Sequence, residues 1–226
     1  MFLLPLVEVP RLFRVICQSK SRAPDPPHGR APTSPTQGQA LGVNILEVGM
    51  TIEKIISELV CQKRESTYWD FKEKHHSTKV DLLHDVLCLA NCDHIGSRYL
   101  IFGVSDGSWK VIGVDEYKSQ QYFLDFFHNL ARSFAGNMVP EFILHDVKID
   151  TKPVQVLEIF DRPHKPYRLI EVFSQGSNKL HPNIFSRVQD RNVPKDRSAT
   201  QSQLDRMYRQ RFGMELSPLE RFKLFL

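Results

Sequence analysis

The chain has no run of about 18 apolar residues, no C-x-x-C pair and no G-x-x-x-x-G-K-[ST] motif. The first absence argues against a membrane-crossing helix. The opening MFLLPLVEVP, interrupted by Pro5, Glu8 and Pro10, also makes a poor signal-peptide core. The second leaves Cys17, Cys61, Cys88 and Cys92 without the spacing of a zinc site. Cys88 and Cys92, four apart in a helical stretch, read as packed or free thiols, which points to a reducing, cytoplasmic setting. The third excludes a P-loop nucleotide site. No aspartate or oxyanion arrangement can be placed around Cys92 and His94, so a nucleophilic pair there is rejected.

What remains is a 226-residue chain, 41% hydrophobic, which is enough for one well-buried core with appendages. Residues 1–49 hold seven of the fourteen prolines and a Ser/Pro/Gly/Gln-rich run, a composition that predicts a disordered or non-native arm. Met50 directly precedes a well-patterned helix and is the expected authentic start. The formal charge of +4 is unevenly spread. Residues 50–160 carry 12 Lys plus Arg against 16 Asp plus Glu, while 161–226 carry 13 against 7. A basic tail beside an acidic region suits a protein that grips phosphates and holds a metal, and equally a helix with a solvated basic face.

Apolar spacing predicts helices over 51–63, 79–92, from Ser77 or Thr78 as cap, and 119–134. Capping-box pairs Thr200/Gln203 and Ser217/Glu220 predict two more, over 201–212 and 218–226. Strands are expected at 67–72, in a hairpin of RYLIFGV with KVIGV, and in a second hairpin of FILHDVKI with PVQVLEIF. This gives an α/β (α+β) fold, a single domain over 50–195 with a mixed, mainly antiparallel sheet flanked by helices, and a helical extension over 196–226. The last helix ends in apolar Phe222, Leu224, Phe225 and Leu226, leaving open a chain that continues, or a tail that docks on a partner such as a second copy.

Chemistry concentrates in Glu65-Ser66-Thr67-Tyr68-Trp69-Asp70-Phe71-Lys72. On a strand, Tyr68, Asp70 and Lys72 share one face and Trp69 and Phe71 the other, so the rings enter a core and Asp70 and Lys72 line a surface or cleft. Glu65, Asp70 and Asp106 would supply oxygen ligands to Mg²⁺ or Mn²⁺, with Lys72 offsetting charge on a phosphoryl group. The plain alternatives are a chance D-x-K on a solvated face and, for Asp106 in Asp106-Gly107-Ser108, a turn former. His75, His76, His84 and His94 read as surface or packing residues, since a hard cation has little use for imidazole.

ESTYWDFK, LLHDVLCLAN at 82–91, YLIFGVSDGSWKVIGV at 99–114, HKPYRL at 164–169 and IFSRV at 184–188 together resemble the Schlafen-type Alba-like (AlbA_2) domain over about residues 51–190. The resemblance implies an α/β module of bacterial proteins and vertebrate Schlafens that binds nucleic acid and, in some members, is a metal-dependent endoribonuclease on structured RNA such as tRNA. It places the catalytic, metal-holding acids on Glu65, Asp70 and Asp106 and the family lysine on Lys72. Asp70 stands where glutamate is usual, and ANCDHIGSRYL lacks the double glycine common after Ala-Asn. Some relatives are labelled ATP-binding.

For nucleic-acid contact the expected residues are Lys165, Tyr167, Arg168, Arg187 and Arg191. Against this, Tyr167 reads equally as the start of a core strand, Lys165 as solvated, and Arg187 as paired with an acid such as Asp190. The favoured reading is a divalent-metal-dependent endonuclease on RNA. A non-catalytic module binding DNA or RNA is the competitor.

Overall fold

A computed structural model describes residues 50–224; the expected arm over 1–49 and the last two residues lie outside the described residues. Helix α1 (Ile52–Cys61) is followed by strand β1 (Trp69–Lys72), helix α2 (Lys79–Ala90) and strand β2 (Arg98–Phe102). Helix α3 (Gln120–Leu130) leads to the long hairpin of β3 (Phe142–Ile149) and β4 (Lys152–Ile159). Two short hairpins follow, β5 (Phe173–Gln175) with β6 (Asn178–Leu180) and β7 (Arg187–Val188) with β8 (Arg191–Asn192), then helices α4 (Gln201–Arg211) and α5 (Pro218–Leu224). The fold is mixed α+β, as the pattern of elements predicted.

The main sheet runs β1-β2-β4-β3, with β1 parallel to β2 and the other pairs antiparallel. Helix α2 makes the crossover that a parallel pair needs. Alternation sorts the side chains onto two faces. Leu100, Phe102, Leu157 and Ile159 pack with α2 and α3, whereas Trp69, Phe71, Tyr99, Ile101 and Val156 pack with Ile55, Ile56 and Leu59 of α1. The Trp69/Phe71 face therefore enters a core, as its spacing implied. Asp70 and Lys72 stand opposite Leu100 and Phe102 and so face the α2 side.

One expected hairpin is replaced. β2 is an interior strand between β1 and β4, and KVIGV pairs instead with the residues just after it, through the isolated Val104–Val111 bridge, the Ile112 and Gly113 N–H donating to Gly103 O and the Ser105 N–H donating to Lys110 O. Gly103 explains the close crossing, for it sits at φ 100° and a Cβ there would lie 3.0 Å from the Gly113 carbonyl carbon. The second hairpin forms as read, with Asp150 and Thr151 at positive φ between Ile149 and Lys152. Thr78, Ser119 and Thr200 cap α2, α3 and α4, the last through a full capping box. Among the described residues no helix is long and apolar enough to cross a membrane.

Candidate functional site

Asp70 and Lys72 leave β1 toward the middle of α2 because Trp69 and Phe71 occupy the other face. Glu65 precedes the strand, held by the Phe71 N–H donating to its Oε1 at 3.1 Å. The β7–β8 hairpin lays Arg187 across both acids. Its guanidinium lies 2.7 Å from Glu65 Oε2 and 2.9 Å from Asp70 Oδ1, and also donates to Ser66 O and Asn192 Oδ1. Lys72 Nζ stands 2.7 Å from Asp70 Oδ2 and 3.2 Å from Asp85 Oδ2 of α2. Asp85 also takes hydrogen bonds from His76 Nε2 and Asn192 Nδ2, both at 2.8 Å. An unbroken chain of charge thus runs Glu65, Arg187, Asp70, Lys72, Asp85, His76.

Its members are tuned by burial and by one another. Burial, then the charge of Asp70, push the Glu65 carboxyl up to about 7, although the Phe71 N–H and Arg187 pull the other way. Burial draws the Lys72 ammonium down, but Asp70 and Asp85 outweigh it and hold the proton more firmly than in a free lysine. Asp85 is penalised by burial, yet the hydrogen bonds from His76 and His84 and the charge of Lys72 keep it well below the usual carboxylate range.

Glu65, Asp70 and Lys72 line an open cleft of about 610 Å³ together with Glu73, Asp106 and Arg187. The structure thus brings Asp106 to the same cleft from the turn after β2. The donor set fits a hard divalent cation in kind: all are carboxylate oxygens, and each oxygen offers more than one lone pair. Among the described residues, however, no three His, Cys, Asp or Glu are gathered tightly around one point, and Arg187 already holds Glu65 and Asp70.

The residues expected to grip nucleic acid separate. Arg168 and Arg191 are exposed. Arg187 is buried, because its charge answers Glu65 and Asp70 rather than Asp190 or solvent. Lys165 is buried too, donating to Cys92 O and lying 3.4 Å from Asp161, which Arg98 shares. Tyr167 is 2% exposed within the core, with its backbone N–H held by Asn91 Oδ1, so it cannot stack on a base. Of the histidines read as surface or packing residues, His94 stacks on Tyr68 and His75 lies tilted against Phe102, whereas His76 and His84 turn to Asp85.

Asp85, His76 and Asn192 were not anticipated as parts of the site. Asp85 had a signal, since a charged residue inside the otherwise apolar LLHDVLCLA must find a partner. Asn192 had none.

A family model described as Schlafen, AlbA_2 matches residues 65–196. No curated protein matches the chain. Among solved structures, the crystal structure of the DIP2311 protein from Corynebacterium diphtheriae is 15% identical, covering 57% of this chain at a TM-score of 0.37. That match spans 22% of the Corynebacterium chain, about a fifth of its length. The solution structure of the N-terminal domain of a RecG-related protein from Nitrosomonas europaea is 15% identical, covering 67% of this chain and 96% of that one at a TM-score of 0.39.

Proposed function

Because the chain belongs to the Schlafen, AlbA_2 family, a family tied to nucleic acid, we propose that it processes nucleic acid at the Glu65/Asp70/Asp106 cleft, as a divalent-metal-dependent endonuclease acting on RNA. One observation carries this reading: Glu65 and Asp70 from the β1 segment and Asp106 from the turn after β2 line a single open cleft alongside Lys72, with Glu73 and Asp190 on the same walls. Mg²⁺ or Mn²⁺ would be held by Glu65, Asp70 and Asp106. When bound, such an ion supplies Lewis acidity toward a phosphoryl oxygen.

The chain's own groups have separable parts. Lys72, fixed between Asp70 and Asp85, offers a positive charge to a phosphate entering the cleft. Arg187 holds Glu65 and Asp70 at a fixed separation.

That same clamp favours a second reading, a non-catalytic module that binds DNA or RNA while Glu65 and Asp70 serve as structural partners of Arg187. Incubation with tRNA, rRNA, single-stranded DNA and duplex DNA, with and without Mg²⁺ or Mn²⁺, separates the two. Metal-dependent RNA fragments support the endonuclease. Salt-sensitive binding without products under either metal overturns it in favour of the binding module.

A further inference from the structure

Away from the acidic cleft, the turn over residues 161–165 and the end of α4 enclose a second cavity of about 350 Å³. Its walls carry Lys165, Arg209 and Arg211, with Arg162 already paired to Glu141, against Asp161 and Glu215. The acids are less available than this ratio suggests. Asp161 is already shared by Lys165 and the fully buried Arg98, and it accepts the Gly96 N–H. Two buried cations thus divide one carboxylate.

The rim is more basic still. Among the described residues the Arg209 side chain has no hydrogen-bond or ion-pair partner, and Arg209 is exposed. Arg211 lies against Met138 Sδ and the Phe212 ring, with no carboxylate. Lys165 Nζ, with three donors, meets Cys92 O and Asp161, which leaves one donor over. Burying a cation with a surplus donor is costly unless an anion completes it. Exposed Ile95 and Leu216 give such an anion an uncharged surface for whatever it is attached to.

We propose that this cavity is a phosphate-binding site that holds the backbone of a nucleic-acid strand, with Arg209 and Arg211 as its outer grip and Lys165 at its floor. It rests on the family's link to nucleic acid but not on the acidic cleft, and it asks nothing of Glu65, Asp70 or Asp106. Its chemistry is that of a phosphodiester, because the guanidinium groups of Arg209 and Arg211 match phosphate oxygens and cations dominate the wall.

The test is binding of a labelled 12-nucleotide single-stranded RNA across a salt series by wild type, R209A, R209A/R211A and R209K/R211K. The proposal expects R209A/R211A to bind about tenfold more weakly, with a log K against log salt slope shallower by about 1.4, the share of two phosphate contacts on a single strand. R209A alone, at an exposed and unpartnered residue, should give about half that change in slope with an unaltered melting temperature. The lysine variant should restore the slope. Wild-type affinity and slope in both alanine variants overturn the proposal while leaving the nucleic-acid reading intact. Absence of RNA binding by the wild type overturns both.

Discussion

Replacing Arg187 by methionine keeps much of the buried volume and removes the guanidinium on which two acids converge. Losing one partner of a buried ion pair costs about 3–5 kcal/mol. Here Asp70 keeps Lys72 at 2.7 Å and Glu65 keeps the Phe71 N–H, whereas Ser66 O and Asn192 Oδ1 lose their donor. These offsets place R187M at about 3 kcal/mol of lost stability at pH 8. The pH dependence has a definite sign. Glu65 titrates near 7 in the fold against its ordinary 4.5, so its contribution is fully present below about 4.5 and is lost as pH rises through 7. Arg187 pulls that value down, so removing it sends Glu65 higher and strengthens the preference for the neutral acid. The R187M deficit should therefore shrink at pH 5.5, where Glu65 has taken up its proton. Urea unfolding followed by fluorescence of the buried Trp69 measures both values. A loss below about 1 kcal/mol at pH 8, or an equal loss at the two pH values, would refute the reasoning.

Three further perturbations probe other joints. Asp85→Ala leaves Lys72 with Asp70 alone, takes the partner of His76 and Asn192, and should cost about 3 kcal/mol in chemical denaturation; a neutral outcome would show that the α2 end of the network is dispensable. Asn91→Ala removes two N–H bonds to Tyr167 O and Phe185 O and the acceptor of the Tyr167 N–H, for a similar loss of about 3 kcal/mol. In that variant amide exchange should rise around 167 and 185, and unchanged protection there would contradict the bracing role. Thr200→Ala opens the capping box and should cost about 1 kcal/mol, seen as faster exchange confined to the first turn of α4.

Much of the architecture was legible because it depends on local periodicity. Helix caps at Thr78, Ser119 and Thr200 and the Asp150-Thr151 turn follow from chemistry within four residues. Strand neighbours were harder. After Arg98 the strand YLIF is apolar without alternation, the mark of a strand covered on both faces, and that mark set its neighbours as β1 and β4. At the site, the sharing of one face by Asp70 and Lys72 could be read from spacing alone. The partner of Arg187 could not, because Glu65 lies 122 residues away in sequence and only the closed fold brings them together. Tyr167 illustrates the converse limit: an aromatic in a basic string looks like a base-stacking contact, but Asn91 turns it inward.

The most direct measurement of the cleft's role uses Asp106, which is exposed and whose carboxylate makes no hydrogen bond or ion pair among the described residues. Cleavage of tRNA in Mn²⁺ and binding of the same RNA are followed for wild type and D106N, with the melting temperature as a check on folding. The account predicts an unchanged melting temperature, binding within about twofold and cleavage reduced at least about a hundredfold. Cleavage by D106N at the wild-type rate would contradict it.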